Sequence, residues 1–330
     1  MKKIAIKSYG EPDDVVACVE APDVGEPGAD EVVFRTVAFP INPADISFIR
    51  GKYRLKPPLP ATPGAECVGR ISAVGSAVGA VRRGDLVINL DRENWAQERR
   101  VKADRVIVLP PDSDPLQSAM LRINPPTARL LLDDFVPLKE GDWIIQNAAN
   151  SSVGHLVIAF AKRRRLRTIN VVRNEEAFPA LKELGADACL VDGDGLHQRA
   201  EAITGGAEVR LGIDAVAGAA TARIAACLAP GATLCAYGSM SGDPITVPSS
   251  EMIYRDIRLR GFLLGRHLDR RGTDEVQRFY HDIENDLREA KFRIGIERLY
   301  PIENIREALA HALRSRSSGK ILVTPNGPVG

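Results

Sequence analysis

The sequence predicts an α/β protein with two domains, a β-rich domain followed by a doubly wound parallel sheet. Two patterns predict this class. Short β-branched runs separated by turns with glycine or proline fill residues 1 to about 110, and strand and helix patterns alternate from Asp114 onward. Strands joined through helices run parallel, with helices covering both faces of the sheet. The chain of 330 residues is long enough for two domains with separate cores.

Five runs in the β-rich part are predicted as strands, at residues 4–6, 31–39, 67–74, 85–89 and 105–108. Between the second and third lies a proline-rich, irregular stretch, residues 41–64, which contains Tyr53. Loops of this length in a compact domain are usually functional or disordered. We therefore expect this loop to take part in function.

Residues 144–173 read as a strand, a tight turn of small residues, a helix and a second strand. Of the usual G-x-G-x-x-G pattern only Gly154 remains, and Asn150, Ser151 and Ser152 take the other turn positions. Backbone N–H groups at a helix N-terminus can still hold a pyrophosphate, and small side chains allow close approach. The pattern predicts a dinucleotide site; the alternative is an ordinary strand–helix turn capped by a serine.

The second strand of this unit ends at Arg173, 19 residues after Gly154. A carboxylate near this position would bind a ribose 2′-hydroxyl, whereas an arginine suits a 2′-phosphate. The sequence therefore favours NADPH over NADH. The alternative for Arg173 is a solvated surface charge.

The rest of the chain continues the alternation and then returns to the first domain. Helices are predicted from residues 115 and 124, and further helices and strands alternate as far as a last sheet strand at 258–262. A long helix after Gly272 precedes a strand–helix–strand pattern whose final strand, 320–324, is expected in the first domain. The predicted domains are residues 1–121 together with 266–330, and residues 122–265.

Composition excludes several classes of function. The chain is 45% hydrophobic and 26% charged with a net charge of +1, which argues against nucleic acid or an anionic membrane as the main partner. No apolar run approaches the 18 residues typical of a membrane span. The five cysteines are scattered without a C-x-x-C motif, so we expect reduced thiols and a cytoplasmic location.

Several longer strings carry family information: Asn42-Pro43-Ala44-Asp45, Gly64-Ala65-Glu66, Gly84-Asp85-Leu86-Val87 and Ser318-Gly319-Lys320-Ile321. With the β-rich part, the Rossmann-like insert and the returning segment, they make the chain resemble the medium-chain dehydrogenase/reductase superfamily over essentially its whole length. The strings most similar to the 2-enoyl thioester reductases are Ile123-Asn124-Pro125-Pro126-Thr127, Gln146 to Gly154 and Ile169-Asn170-Val171-Val172-Arg173. The resemblance implies a GroES-like β-rich catalytic domain and a Rossmann domain that binds NADPH.

The zinc alcohol dehydrogenases of the superfamily have a cysteine where this chain has Asn42 and a histidine where it has Ala65. Zinc requires nitrogen and sulfur ligands at defined spacing, so we expect a zinc-free protein. Without a Lewis acid, reduction of an activated double bond is easier to explain than alcohol oxidation. A positioned acid and hydrogen-bond donors suffice for that reduction.

The same resemblance implies the site residues. Tyr53 matches the tyrosine regarded as catalytic in enoyl thioester reductases; the alternative is a ring that anchors the loop. The implied cofactor contacts are Asn124, Thr127, Asn150, Ser151, Ser152, Val153, Arg173, Tyr237, Gly238, Ser239, Met240 and Lys320. The implied substrate-pocket residues are Asn42, Leu263 and His267. Related reductases often have tryptophans where this chain has Leu263 and His267. The alternative for His267 is an exposed histidine at the start of a helix.

The sequence thus predicts an NADPH-dependent reductase of α,β-unsaturated carbonyl compounds, with a 2-enoyl thioester as the expected substrate. Two alternatives remain: an NADPH:quinone oxidoreductase, in which Tyr53 need not be an acid, and an NADPH-binding module without turnover. An edge strand near residues 257–262 also predicts a homodimer, because exposed sheet edges tend to be paired.

Overall fold

The structure is a computed structural model that describes residues 1–314 and 319–329, so Ser318 of the superfamily string lies outside the described residues. The chain divides into two compact units. The first consists of Met1–Ile123, Thr273–Glu284 and Arg293–Gly330, and the second of Asn124–Gly272 and Asn285–Phe292. The domains predicted from the sequence, residues 1–121 with 266–330 and residues 122–265, stay a prediction.

Short strands dominate the first 123 residues. The elements are β1 (Lys2–Ile6), α1 (Pro12–Val15), β2 (Val16–Glu20), β3 (Glu31–Pro40), α2 (Pro43–Ile49), β4 (Val68–Val74), β5 (Leu86–Asn89), β6 (Glu98–Lys102), β7 (Val106–Val108) and α3 (Pro115–Ser118). Strands β2 and β6 were not predicted, since neither is a long apolar run. β2 pairs with β1 and β6 pairs with β3, so tertiary pairing rather than local pattern makes them strands.

Helix α2 lies inside the stretch that the sequence analysis took as irregular. Its start is a capping box: the Asn42 side chain faces the third helical N–H, and Asp45 Oδ2 accepts from the Asn42 backbone N–H at 3.0 Å. Pro43 occupies the first helical position, where its missing N–H costs nothing. The helix was missed because prolines on both sides suggested a loop.

The second unit alternates strand and helix. Its elements are α4 (Asn124–Asp133), β8 (Trp143–Gln146), α5 (Ser152–Arg163), β9 (Arg167–Val172), α6 (Phe178–Leu184), β10 (Ala188–Val191), α7 (Leu196–Thr204), β11 (Val209–Asp214), α8 (Ala219–Ala226), β12 (Thr233–Ala236), α9 (Ser249–Tyr254), β13 (Arg258–Gly261) and α10 (Leu264–Leu268). The six strands are parallel in the order β10-β9-β8-β11-β12-β13. Numbered within the unit this order is 3-2-1-4-5-6, which confirms the doubly wound fold.

The order of this sheet reverses between β8 and β11. Ligands of open parallel sheets bind outside the carboxyl ends of the strands at such a switch point. The turn after β8 is the one that the sequence singled out at residues 147–154. The fold therefore places the predicted dinucleotide turn where a dinucleotide would be expected.

The chain ends with α11 (Thr273–Glu289), β14 (Ile296–Pro301), α12 (Ile305–Arg314) and β15 (Lys320–Thr324). Within the described residues, the sheet of the first unit runs β14-β15-β3-β4-β5-β7, with β6 paired to β3. Strand β15 pairs with β3 in antiparallel orientation, so the final strand lies in the sheet of the first unit. Beneath this sheet Trp95 is fully buried and stacks on Phe39 with ring centroids 5.5 Å apart. In the described part of the chain, no helix has the length and apolar character needed to cross a bilayer.

Candidate functional site

The turn between β8 and α5 is built for close backbone approach. Ser151 caps α5, and its hydroxyl accepts from the Gly154 N–H at 3.1 Å. A Cβ on Gly154 would lie 2.4 Å from the Ala149 carbonyl oxygen, so only glycine fits there. Ala148 adopts a φ of 47°, which completes the reversal. The turn thus brings the N-terminal N–H groups of α5 to the switch point, with space limited to small side chains.

Two buried side chains tie this turn to the neighbouring strand. Asn147 Nδ2 donates to Asp214 Oδ1 at 2.6 Å, and Asn147 Oδ1 accepts from the Ala215 N–H at 2.8 Å. Asp214 also accepts from the backbone of Val216 at 2.9 Å and from the Thr221 hydroxyl at 2.6 Å. The carboxyl ends of β8 and β11 are therefore held together by a buried carboxylate with its lone pairs in use.

The loop after β12 packs beside the same turn. Burial raises the pKa of the Tyr237 phenol, and the neighbouring Ser151 side chain opposes this shift. Gly238 passes the preceding strand closely, since a Cβ there would lie 2.7 Å from the Ala215 carbonyl oxygen. Ser239 and Met240 are exposed. Tyr237 and Ser151, both predicted cofactor contacts, are thus brought together.

The remaining predicted cofactor residues of this unit lie at separate places. Arg173 follows the end of β9, is exposed, and makes no ion pair or hydrogen bond with any described residue. Asn124 and Thr127 are buried in the first turn of α4. A free guanidinium after β9 and a small-residue turn capped by Ser151 fit a dinucleotide with a 2′-phosphate. As contacts to a cofactor, all of these residues stay predictions.

Tyr53 lies at a bend shortly after α2, in an anchored segment of the first unit. The backbone N–H groups of Lys52 and Tyr53 both donate to the Ser47 carbonyl, at 2.9 and 3.0 Å. The Tyr53 ring is half-buried against the core, and the Arg92 guanidinium lies 5.0 Å above its centroid. These contacts hold the ring from both sides, which restricts where the hydroxyl can point.

The Tyr53 hydroxyl differs from those of most packed tyrosines. Three hydroxyls are hydrogen-bonded within the protein: those of Tyr9 (with the Pro57 carbonyl), Tyr280 (with the Arg122 carbonyl) and Tyr300 (with His311). Tyr254 is 83% exposed. The Tyr53 ring packs against the core of the first unit, yet its hydroxyl bonds no described protein atom. Packed tyrosines usually find a partner, so this hydroxyl is available to a ligand.

Asn42 belongs to a buried polar network. Its Nδ2 donates to Glu66 Oε1 at 2.8 Å, and its Oδ1 accepts from Lys320 Nζ at 2.6 Å. The second Glu66 oxygen accepts from the Ile123 N–H at 3.0 Å. Asp45 is buried beside the network and accepts from the Ala65 N–H at 2.9 Å. The predicted cofactor contact of Lys320 and the predicted pocket role of Asn42 stay predictions; in the structure the two side chains bind each other.

Burial shifts the pKa values of two side chains in this network, Glu66 and Lys320. Burial raises the pKa of Glu66 to about 7, against the opposing effects of Lys320 and of the Asn42 amide. Burial also lowers the pKa of the Lys320 ammonium, which Glu66 and Asp45 oppose. Both shifts favour the neutral forms, as expected where two charged groups leave water together.

The Glu66 shift predicts how stability depends on pH. Between the ordinary pKa of 4.5 and the folded value of about 7, the folded chain holds a proton that the unfolded chain lacks. The free energy of unfolding should therefore fall as pH rises through this window, by at most about 3 kcal/mol for this group. We expect Glu66→Gln to flatten the profile, measured by urea unfolding at several pH values from 4.5 to 7.5. A variant that keeps the wild-type slope would contradict this assignment.

The two predicted pocket residues of the second unit have different surroundings. Leu263 is half-buried at the start of α10. His267 is buried, stacks on Phe262 with ring centroids 4.8 Å apart, and its Nδ1 lies 2.6 Å from Asp134 Oδ2. The alternative of an exposed histidine at a helix start is therefore wrong for His267, because the side chain is buried. A substrate contact of either residue stays a prediction.

Sequence reasoning missed four residues that the structure brings to these sites: Asn147, Asp214, Glu66 and Arg92. Glu66 and Asn147 had a signal, because each lies in a string quoted for the resemblance and is polar within an apolar run. Asp214 is a carboxylate within a strand predicted at residues 211–216 and could have been suspected for that reason; in the structure it ends β11. Arg92 had no signal, since its position over Tyr53 depends on the packing of two distant loops.

Family profiles match both parts of the chain. The profile of the alcohol dehydrogenase GroES-like domain matches residues 28–107, and that of the zinc-binding dehydrogenases matches residues 152–281. The described residues contain no group of three or more His, Cys, Asp or Glu side chains placed to hold a metal. At the two positions compared with the zinc alcohol dehydrogenases, Asn42 offers an amide and Ala65 a methyl group, neither of which is a usual zinc ligand. Function without zinc stays a prediction.

Similar proteins are reductases. A mouse protein, the mitochondrial enoyl-[acyl-carrier-protein] reductase, is 36% identical over 332 residues, which is 98% of this chain and 88% of the relative. The complex of Etr1p with NADP and crotonyl-CoA superposes with a TM-score of 0.87 at 27% identity, covering 98% of this chain and 99% of that one. A Bacillus thuringiensis protein named as an NADPH:quinone reductase superposes with a TM-score of 0.91 at 26% identity, covering 98% of each chain.

These comparisons correct one expectation. The cytoplasmic location is wrong, because the mouse relative is a mitochondrial protein. The physical reason is that free cysteines report only a reducing compartment and do not distinguish one such compartment from another. The fold, the two matching profiles and a relative aligned over nearly the whole chain agree with one another. The chain belongs to the medium-chain dehydrogenase/reductase superfamily, alongside its enoyl thioester reductases.

Proposed function

We propose that this chain, an NADPH-dependent oxidoreductase of the enoyl reductase type, reduces the carbon–carbon double bond of a 2-enoyl thioester with Tyr53 as the acid. The observation that carries the proposal is the Tyr53 hydroxyl, which bonds no described protein atom although its ring is packed. A tyrosine with a purely structural role would be expected to hydrogen-bond its hydroxyl to the protein, as Tyr280 does with the Arg122 carbonyl at 2.9 Å.

The proposed reaction gives these residues different parts. The turn at Ser151, the loop at Tyr237 and the exposed Arg173 would hold the cofactor pyrophosphate, ring end and 2′-phosphate. The bound cofactor would supply a hydride to the β-carbon of the substrate. Negative charge then develops on the thioester oxygen, and Tyr53 assists protonation of the α-carbon. The Arg92 guanidinium over the Tyr53 ring favours negative charge beside it.

The runner-up is an NADPH:quinone oxidoreductase. The likeness to the Bacillus thuringiensis protein named as such a reductase favours it, with a TM-score of 0.91. A quinone is reduced at oxygen and takes its protons there, so no acid at the α-carbon is needed. The two functions therefore differ in their dependence on Tyr53.

Steady-state oxidation of NADPH tests the proposal. Purified protein is assayed against crotonyl-CoA, longer 2-enoyl thioesters and 1,4-benzoquinone, each with NADPH and with NADH. We expect turnover of thioesters with a preference for NADPH. Turnover of benzoquinone alone would select the runner-up, and NADPH binding without turnover of any acceptor would contradict both.

Arg173 is expected to set the cofactor preference. Arg173→Ala removes a charge-assisted hydrogen bond to the 2′-phosphate, so Kd for NADPH should rise about 10- to 100-fold. Kd for NADH, which lacks this phosphate, should not change and serves as the internal control. Fluorescence titration of both cofactors measures the ratio. An equal rise in Kd for NADPH and NADH would show that Arg173 supports the binding turn and does not contact the 2′-phosphate.

We also propose a homodimer formed through β13. This strand pairs only with β12 among the described residues, and all four of its residues are exposed. Nearby, Ile253 is 70% and Tyr254 is 83% exposed, which is unusual for large apolar side chains on a monomer. Ile253→Asp with Leu259→Asp should halve the mass measured by light scattering after gel filtration. A wild-type monomer, or a variant of unchanged mass, would contradict the proposal.

A further inference from the structure

Arg92 is a half-buried arginine whose hydrogen-bond donors are unused. Its guanidinium carbon lies 5.0 Å from the ring centroid of Tyr53 and 5.9 Å from that of Phe48. Contacts with aromatic rings use none of the five N–H donors of an arginine for hydrogen bonds. In the part of the chain that the structure describes, these donors make no hydrogen bond and no ion pair. A guanidinium withdrawn from water without an acceptor has donors to offer a ligand.

The acidic residues on either side of Arg92 in the sequence do not neutralise it. Asp91 Oδ1 lies 2.9 Å from Arg105 Nε, and Glu93 Oε2 lies 3.4 Å from Arg99 Nη1. Each flanking carboxylate is thus paired with an arginine from another part of the chain. Three arginines and two carboxylates meet at this loop, and the charge of Arg92 is the one without a partner among the described residues.

A third carboxylate near Arg92, that of Asp45, is engaged by the backbone. Burial raises the pKa of Asp45, and the Asn42 N–H and the charge of Arg92 oppose this shift. The two Asp45 oxygens accept from the N–H groups of Asn42 and Ala65, at 3.0 and 2.9 Å. Asp45 therefore acts on Arg92 through its field and leaves the guanidinium donors free.

The loop that carries Arg92 is held in one conformation. Asn89 Nδ2 donates to Asn94 Oδ1, and Asn94 Nδ2 donates to the Asp91 carbonyl, each at 2.7 Å. Both asparagines are fully buried. Glu93 adopts a left-handed φ of 66°, a conformation that persists only where the surroundings fix it and that is concentrated at functional sites. The loop therefore presents the guanidinium in a fixed place, as preorganised stabilisation of charge requires.

Two kinds of donor without a protein acceptor thus lie side by side in the first unit, the Tyr53 hydroxyl and the Arg92 guanidinium. The proposed reduction needs both kinds. Hydride adds to the β-carbon, the electron pair of the double bond shifts toward the thioester carbonyl, and its oxygen becomes an enolate oxygen. The electron pair then returns, the α-carbon takes the Tyr53 proton, and the carbonyl re-forms. The proton requires an acid, and the transient negative charge requires a fixed cation or donor.

We propose that Arg92 is a second catalytic residue, whose guanidinium binds the thioester oxygen as that oxygen becomes the enolate. The proposal rests on the proposed function and adds the group that holds the charge while Tyr53 supplies the proton. A guanidinium stays protonated in proteins, so Arg92 cannot itself be the acid. Its planar set of donors is suited to an anionic oxygen, to which charge-assisted hydrogen bonds are short and strong.

The first test is Arg92→Ala, assayed by NADPH oxidation with crotonyl-CoA and with crotonyl-pantetheine, which has no phosphate. We expect kcat to fall about 10²- to 10³-fold with both substrates, as when one oxyanion donor is lost. Guanidinium ion, added at concentrations that leave the wild-type rate unchanged, should restore part of the rate, because it can occupy the vacated place. Arg92→Lys, which keeps the charge, should retain more activity than Arg92→Ala. The matched control is the exposed Arg83→Ala, expected to show no loss and no rescue.

A double-mutant cycle separates action on the substrate from action through the tyrosine ring. If Arg92 binds the substrate oxygen, Arg92→Ala should lower the single-turnover rate by a further factor of at least about 10 in the Tyr53→Phe background. No further loss in that background would show that Arg92 acts only through Tyr53, and would overturn the proposal.

Other results would also contradict a catalytic Arg92. A loss confined to crotonyl-CoA would assign Arg92 to the phosphate groups, and a raised KM with unchanged kcat would assign it to ground-state binding. A loss in Arg92→Ala that guanidinium does not rescue would indicate a structural role. Wild-type turnover with an unaffected Arg92→Ala would refute this inference alone. Absence of thioester turnover by the wild-type protein would refute the proposed function and the inference with it.

Discussion

Tyr53→Phe is expected to lower kcat for NADPH-dependent reduction of crotonyl-CoA by about 10²- to 10⁴-fold, the range typical of a lost general acid. The substitution removes one hydroxyl and leaves the ring, so the stacking with Arg92 remains possible. That hydroxyl bonds no described protein atom, and we therefore expect the free energy of unfolding to change by less than about 0.5 kcal/mol. Stopped-flow and steady-state assays, with urea unfolding in parallel, measure both effects.

Tyr300→Phe is the matched control. The Tyr300 hydroxyl lies 3.0 Å from His311 Nδ1, so its loss should lower stability and leave kcat unchanged. Tyr53→Phe should thus lower kcat and leave stability unchanged, whereas Tyr300→Phe should lower stability and leave kcat unchanged. A Tyr53 variant with wild-type kcat on thioesters would remove the acid from the proposal, and unchanged turnover of benzoquinone in the same variant would support the quinone reductase.

The fold was predictable where local pattern and global topology agree. The unit from β8 to β9 was predictable because apolar positions repeat with the period of each element and Gly154 marks the turn. Helix α2 was not predictable on that basis, since its capping box at Asn42 and Asp45 lies among prolines. Strands β2 and β6 depend on partners distant in sequence, and no local pattern encodes such pairing.

The site was predictable only as a set of positions. Resemblance located Tyr53, Asn42 and Lys320, but it could not reveal that Lys320 Nζ binds Asn42 Oδ1, a contact between residues 278 positions apart. It also could not show that the Tyr53 hydroxyl lacks a protein partner, because that depends on every neighbour at once. Burial and hydrogen bonding of single side chains are tertiary properties, so they require the structure.

The switch point of the parallel sheet depends on one buried carboxylate. Asp214 Oδ1 accepts from Asn147 Nδ2 and from the backbone N–H groups of Val216 and Ala217, and Oδ2 accepts from Thr221 Oγ1. The Ala217 φ of 68° is a left-handed conformation that these bonds help to hold. Stability and the shape of the dinucleotide turn therefore have a common origin.

Asp214→Ala is expected to lower the free energy of unfolding by about 3–5 kcal/mol, because four donors lose a charged acceptor in a buried place. Affinity for NADPH should fall with it, since Asn147 is no longer held against β11. Asp214→Asn retains one oxygen acceptor and should lose less than half as much stability. Urea unfolding and NADPH titration of both variants measure the two effects. Full stability in Asp214→Ala would show that Asn147 and Thr221 find other partners, and the turn would then owe its shape to Gly154 and the Ser151 cap.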